Sequence, residues 1–432
     1  MSLCKDRAFE VLKRLSFERI AGTDKELEAA HLLKAECDKV GIPAVIEEFE
    51  IDMPEIYEAK FKVTKPVEVE FNCIGIGRSG TTPDEGISAP LVYAENGMAA
   101  NLLDVKGKIV LLTGQDKDTV KNLAKAGALG YVHVHGSLFD DEEMKKEIRT
   151  RNIRNKSEED PDLPGLVIHI SDAQELLRLK PEEVNIVLKQ DGDKKGTSHN
   201  VIATIEGTDL KDEVITFTAH YDSVIYSSGA WDNGTGSITI MELMHYFNTN
   251  KPRRTLKFIW CGSEEIGLVG SRSWVDQHKD ELDKVLFNIN VDMTGVLLGF
   301  EIAVCSCEEA VSNYINMLGK IEGFPIKSKV DMYSSDSSSF AMAGVPAVTF
   351  ARLAPRGGAE IHSRRDIFDT LDSTKFIETV EFMAKFAEPI VNAKVFPVSR
   401  EFPKDLKEKM EFWKHVAPKK KEESKEEKEA KK

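Results

Sequence analysis

The 432-residue chain has no long hydrophobic run: no stretch of it approaches the ~20 consecutive apolar residues that a helix needs to cross a bilayer. It therefore reads as a soluble protein that does not enter a membrane. Nor does it have an excess of positive charge. Its formal net charge is −15, and because duplex binding rests on Lys and Arg that neutralise phosphates, nucleic acid is a poor partner. Cysteine is scarce. The six residues Cys4, Cys37, Cys73, Cys261, Cys305 and Cys307 show no framework spacing, and the N-terminal run Met1-Ser2-Leu3-Cys4-Lys5-Asp6-Arg7 has no apolar signal core. Reduced thiols in a cytoplasm follow as the expectation. Cys305 and Cys307 could be a redox or metal pair, but they lie in the alternating run 301–307, which reads as a strand.

What the chain does have is 41% hydrophobic residues, enough for a sizeable core, and length for two to three domains. Thr23 and Glu26 form a capping box that starts a helix whose Ala29, Leu32, Leu33 and Cys37 share one face, and Gly41 stops it. Residues 43–51 follow as a strand. From about residue 61 to 188 short strand-like runs dominate, interrupted by helical patterns at 119–126 and 172–179. Within that block the charged span 140–162 offers few residues for burial and reads as a surface excursion. Helix-and-strand alternation returns at Ser198 and runs to about Pro397. These shifts divide the chain into a discontinuous α/β domain (1–60 and 193–400), an inserted β-rich domain (61–192) and a C-terminal extension (401–417). A Lys/Glu tail (418–432) is expected to be disordered or a frayed helix.

Three apolar runs in the α/β domain end in side chains that seek metals. Residues 214–219 deliver His220-Tyr221-Asp222, residues 255–261 deliver Glu264-Glu265, and residues 285–291 deliver Asp292. Between the first two, Ala230-Trp231-Asp232-Asn233-Gly234 reads as a turn opening a helix over 237–247. In parallel sheets ligands gather beyond the carboxyl ends of the strands, where these residues fall. Zinc takes nitrogen and oxygen donors from His, Asp and Glu, and a two-metal site needs a carboxylate able to span both ions. Taken singly, each motif is more often a polar turn or a solvated loop. The remaining histidines, including His133, His135 and His169 in the inserted domain, read as structural.

In order along the chain, His220-Tyr221-Asp222, residues 229–236, residues 264–271, Asn290-Val291-Asp292-Met293 and Ile361-His362-Ser363 resemble the motifs of the di-zinc aminopeptidase family, which includes bacterial leucyl aminopeptidases, aminopeptidase Y and glutamate carboxypeptidase. The inserted block resembles the protease-associated domain, through Ala89-Pro90-Leu91-Val92-Tyr93, residues 105–110 and residues 124–130. The resemblance implies a three-layer zinc-exopeptidase fold on a mostly parallel mixed sheet, two Zn(2+) ions and a peptide substrate. Asp232 would bridge the ions, with Glu265 and His362 completing one site and His220 and Asp292 the other. Glu264 would act as general base, Asp222 would orient His220, and Asp366 would do similar work. The chain departs from the family at Ser335-Asp336-Ser337, where relatives often carry an Asp-His pair. Tyr333 is the nearest candidate for the tyrosine that polarises the carbonyl oxygen.

An aminopeptidase is the leading expectation. Arg352, Arg356, Arg364 and Arg365, clustered in sequence around His362, keep a carboxypeptidase in play, since a terminal carboxylate is held by arginines. A glutaminyl-cyclase-like transferase and a receptor-like binding protein are the remaining candidate functions on this fold, and cobalt or manganese could replace zinc.

Overall fold

A computed structural model describes residues 3–114, 118–149, 151–154, 156–157 and 159–416. The expected Lys/Glu tail lies outside them. Eight strands form the main sheet: β1 (Ala44–Asp52), β2 (Lys195–Ile205), β3 (Leu210–His220), β4 (Arg254–Cys261), β5 (Val285–Val291), β6 (Phe300–Ser306), β7 (Ile326–Val330) and β8 (Ala347–Leu353). Their spatial order is β1-β2-β4-β3-β5-β8-β6-β7. The central four, β4, β3, β5 and β8, run parallel. β1 and β2 add antiparallel at one edge, and the β6-β7 pair lies antiparallel to β8 at the other.

Helices cover both faces, which is why the central strands read as unbroken apolar runs instead of alternating ones. In β3 every residue from Val214 to His220 is buried. On one face α1 (Lys5–Leu15), α2 (Asp24–Lys39), α3 (Gly236–Thr249), α5 (Glu309–Glu322) and α7 (Ser373–Val391) enclose a core that includes Phe217, Phe258, Phe287 and Phe350. On the other, α4 (Val269–Gln277) and α6 (Ser337–Met342) place Trp274 and Phe340 over Ile202, Ile259 and Val285. Phe217 and Phe258 stack across β3 and β4 with ring centroids 5.0 Å apart. Burying a side chain of this size contributes about 1.5–3 kcal/mol. The result is a three-layer α/β domain.

The chain leaves this sheet after Asp52 and returns at Lys195. The excursion begins at the strand Glu55–Lys65, which pairs with Glu183–Asp191 in a separate four-stranded sheet, so it starts earlier than the texture change at residue 61 suggests. A six-stranded sheet packs beside it around a second and third core. Two sequence expectations need correction. Span 140–162 is more than a surface excursion: Met144 and Ile148 are buried, and Arg151–Asn152 pairs as a short strand with Ile76 and Gly77. Glu26 does not complete a capping box. Its N–H donates to Thr23 Oγ1 at 3.4 Å, but its carboxylate is fully buried and accepts from Ser198 Oγ, Tyr221 Oη and the N–H of His199.

Residues 401–416 carry a helix, Lys404–Val416, that buries Leu406 and Met410 against Met332, Ala341 and Ala347. All six cysteines are free, and Cys261, Cys305 and Cys307 are buried. No helix among the described residues is long and apolar enough to cross a membrane.

Candidate metal centre

The parallel strands deliver their C-terminal ends to one edge of the sheet, and the candidate residues meet there. His220 ends β3, Asp292 follows β5 directly, and Glu264 and Glu265 sit in the loop between β4 and α4. Asp232 lies at a kink in the segment Ala230–Thr235 that leads into α3, with a non-helical backbone (φ −106°, ψ 95°). His362 comes from the loop after β8 and holds a left-handed backbone, φ 60°. For a non-glycine residue that conformation is uncommon and is met where function over-determines the backbone.

Five of these side chains form two groups that share Asp232: His220, Asp232 and Asp292, and Asp232, Glu265 and His362. His220 Nε2 stands 3.2 Å from Asp232 Oδ1 and 3.6 Å from Asp292 Oδ1. His362 Nε2 stands 3.1 Å from Asp232 Oδ2 and 3.0 Å from Glu265 Oε1. The two oxygens of one carboxylate therefore face two different histidines. The donor set fits divalent cations. Each group offers one imidazole nitrogen and two carboxylates, and the buried Asp292 Oδ1 has no hydrogen-bond partner.

The electrostatics have the same origin. Burial would raise the Asp232 carboxyl, but hydrogen bonds from His220 and His362 outweigh it and hold the group below the usual carboxylate range. Burial likewise opposes a charged His362, yet its bonds to Asp232 and Glu265 lift it to about 9. Burial pushes Glu264 well above the ordinary glutamate value, and Glu265 and Asp292 push it further against the opposing pull of His220. Glu264 belongs to neither group of three.

Supporting residues fix this geometry. Asp222, fully buried, lies 3.4 Å from His220 Nδ1 through Oδ1 and accepts the N–H groups of Glu264 and Glu265. Asp366 accepts the N–H of Trp231 at 2.7 Å and of Asp232 at 3.1 Å, and so holds the turn that carries the shared carboxylate. Tyr333 is half-buried, and burial together with Asp292, Asp232 and Glu264 raises its phenol, which puts it among the charges of the site.

Sequence reasoning missed three residues, Arg19, Arg149 and Arg154, and gave no role to a fourth, Asp336. Arg19, fully buried, donates to the carbonyls of Leu15, Phe17, Tyr221, Ser228 and Gly229 and ties the N-terminal segment to the loops after β3. Asp336 is fully buried with both carboxylate oxygens unpartnered, and burial raises it to about 6. Arg149 and Arg154 arrive from the inserted domain. Arg149 Nη1 stands 2.7 Å from His362 Nδ1, and Arg154 Nη2 donates to the Glu265 carbonyl at 2.5 Å. The only signal was the pattern Arg-x-Arg-x-x-Arg at 149–154 inside an acidic span. The arginines that the sequence did single out are engaged elsewhere. Arg352 is buried against Glu301, Arg364 pairs with Glu147, and Arg365 with Glu360, while Arg356 is exposed.

The profile of peptidase family M28 matches residues 200–387, a span that holds all five members of the two groups together with Glu264. Residues 200–387 are an M28 peptidase domain. Relatives extend the likeness on both sides of the M28 domain. Aminopeptidase YwaD of Bacillus subtilis (strain 168) is 29% identical over 362 residues, covering 77% of this chain and 71% of its own. Leucine aminopeptidase 2 of Arthroderma otae is 33% identical over 233 residues, covering 50% of this chain and 43% of its own. The crystal structure of BSAP, a zinc aminopeptidase from Bacillus subtilis, superposes with a TM-score of 0.76 at 24% identity, covering 93% of this chain and 99% of that one. The shared fold thus takes in the inserted sheets as well as the M28 domain.

Proposed function

We propose that this chain is a di-zinc aminopeptidase, which removes the N-terminal residue of peptides by hydrolysis. The observation that carries the reading is the shared Asp232, whose two oxygens face His220 and His362 at 3.2 and 3.1 Å. Asp232 would bridge two ions, His220 and Asp292 would complete one site, and Glu265 and His362 the other. A divalent metal supplies Lewis acidity and lowers the pKa of water at such a site.

The chain's own groups do the rest. Glu264 accepts a proton from the attacking water, the water oxygen bonds to the scissile carbonyl carbon, and the C–N bond breaks as Glu264 returns the proton to the leaving amine. Its raised affinity for a proton, which follows from burial and like charge, suits a group that must hold that proton between the two steps. Tyr333 donates to the developing oxyanion. Asp222 orients the His220 ring and, through the N–H groups of Glu264 and Glu265, sets the direction in which the base and its neighbour diverge.

Three observations support an aminopeptidase over a carboxypeptidase, a transferase or a binding protein. The relatives named above are aminopeptidases, Arg352, Arg364 and Arg365 are occupied by internal acids, and both groups of three retain every member. The inserted sheets are taken as a protease-associated domain. The cytoplasm is taken as the compartment, which the six free thiols support.

The test combines metal analysis with a substrate panel. Two zinc equivalents per chain are expected, with cleavage of aminoacyl p-nitroanilides and none of their N-acetylated counterparts. Cleavage of N-blocked peptides that carry a free C-terminus would replace this reading with a carboxypeptidase.

A further inference from the structure

The span 140–162 brings cationic side chains to a site built from carboxylates. Arg149 and Arg154 flank the strand Arg151–Asn152, which is pinned to Ile76 and Gly77, and Ile153 N–H bonds to the Gly77 carbonyl at 2.8 Å. The backbone between the two arginines is therefore paired to the inserted sheet. Arg149 is partly buried. Its Nη1 reaches His362, and its Nη2 stands 3.5 Å from Glu265 Oε2. Arg154 is exposed, and its Nη2 is bound to the Glu265 carbonyl. From the M28 domain, Arg272 on α4 adds a third guanidinium, and its buried Nε has no hydrogen-bond partner.

Such a group has a need of its own. Each guanidinium carries five N–H donors in a planar fork. Of these donors, Arg149 gives one to the Glu265 carboxylate and Arg154 one to the Glu265 carbonyl. Arg154 opposes the charge of Arg272, so like charges face one another here. The remaining N–H donors of the two forks are where an incoming carboxylate would find the complement it needs.

We propose that Arg149 and Arg154, backed by Arg272, form a carboxylate-binding rim, so that this exopeptidase selects short substrates with a free carboxylate close to the scissile bond. The inference rests on the peptidase reading and names the substrate class of the same site. The carboxylate has two possible sources, an acidic N-terminal side chain or the C-terminus of a dipeptide. Planar guanidinium forks recognise either one, because both present two oxygens for paired N–H bonds.

Calorimetry on the metal-loaded, full-length protein tests this with three uncleavable dipeptide analogues whose peptide bond is replaced by methyleneamine: leucyl-glycine, leucyl-glycine amide and glutamyl-glycine amide. At least one acid is expected to bind about tenfold tighter than the leucyl amide, and which one it is identifies the source. In Arg149→Gln and Arg154→Gln that ratio should fall below about threefold, with partial recovery in Arg149→Lys. Arg154→Gln removes only a contact to a backbone carbonyl, so it covers the case in which Arg149→Gln disturbs His362. Equal binding of all three analogues overturns the proposal. So does an equal loss on all three in the variants, which would mean that the arginines only balance the acids of the site. If the protein binds metal and cleaves leucine p-nitroanilide but ignores the added carboxylate, this inference alone fails. Absence of both metal and cleavage removes the peptidase reading and this one with it.

Discussion

The carboxylate of Asp222 accepts the backbone N–H of Glu264 at 3.0 Å through the same oxygen that lies 3.4 Å from His220 Nδ1. One buried acid thus sets the position of a proposed ligand at the end of β3 and of the proposed base after β4. Replacing it should be felt at both. Asp222→Ala is expected to weaken metal binding about 10–100-fold, as loss of a partner behind a ligating histidine commonly does, and to lower kcat in fully loaded enzyme. Chelator competition and steady-state kinetics measure the two effects. An unchanged zinc affinity would show that His220 needs no such support.

Glu264 and Glu265 are neighbours with different assignments, and substitution separates them. Glu264→Gln should keep both zinc equivalents and lose about 10²–10⁴-fold in kcat. Glu265→Gln should instead lose metal, because its carboxylate oxygen is 3.0 Å from His362 Nε2. If Glu264→Gln turned over at near-native rates, another group would have to carry the proton.

Asp366 holds the turn under the shared carboxylate. Asp366→Ala leaves the N–H groups of Trp231 and Asp232 without their acceptor, at a cost of about 1–3 kcal/mol each. Thermal unfolding should show that loss. Metal analysis should show both ions held less tightly, since Asp232 belongs to both groups. Loss at a single site would argue against a shared ligand.

A pH effect is expected away from the centre. The bond to Glu26 raises the imidazole of His199 above its ordinary value, against the opposing effect of burial, with Nδ1 3.2 Å from Glu26 Oε2. A histidine whose folded value is raised contributes stability that is complete below about pH 6.5 and is lost as pH rises through the folded value. Chemical denaturation of the wild type and His199→Gln should therefore differ most at low pH and converge in alkali. A gap that widens with pH would reverse the assignment.

His220, Glu264, Glu265 and Asp292 were legible because each comes shortly after a run of mostly buried apolar residues, whereas Asp232 and His362 were reached only through the family motifs. Val214 to Ala219, Thr255 to Cys261 and Val285 to Val291 announce strands, and the polar residues beyond them fall at one edge of a parallel sheet. Glu26 was misread because a glutamate three residues after a threonine has the same local pattern whether its side chain turns back to the cap or inward to Ser198 and Tyr221. Arg149 was invisible for another reason. It meets His362 across 213 residues of sequence, and a charged span with few apolar residues looks solvated until Met144 and Ile148 are seen to be buried. Local pattern reports strand ends well. It does not report which distant loop closes over them.

Arg364 and Glu147 join the loop that carries His362 to the same span that carries Arg149 and Arg154. The hydrolytic core thus borrows part of its wall from a module inserted between β1 and β2. Exchange of that module among relatives can retune which peptides are accepted while the core stays as it is, and a protease nick within 140–162 would damage selectivity before it damaged folding.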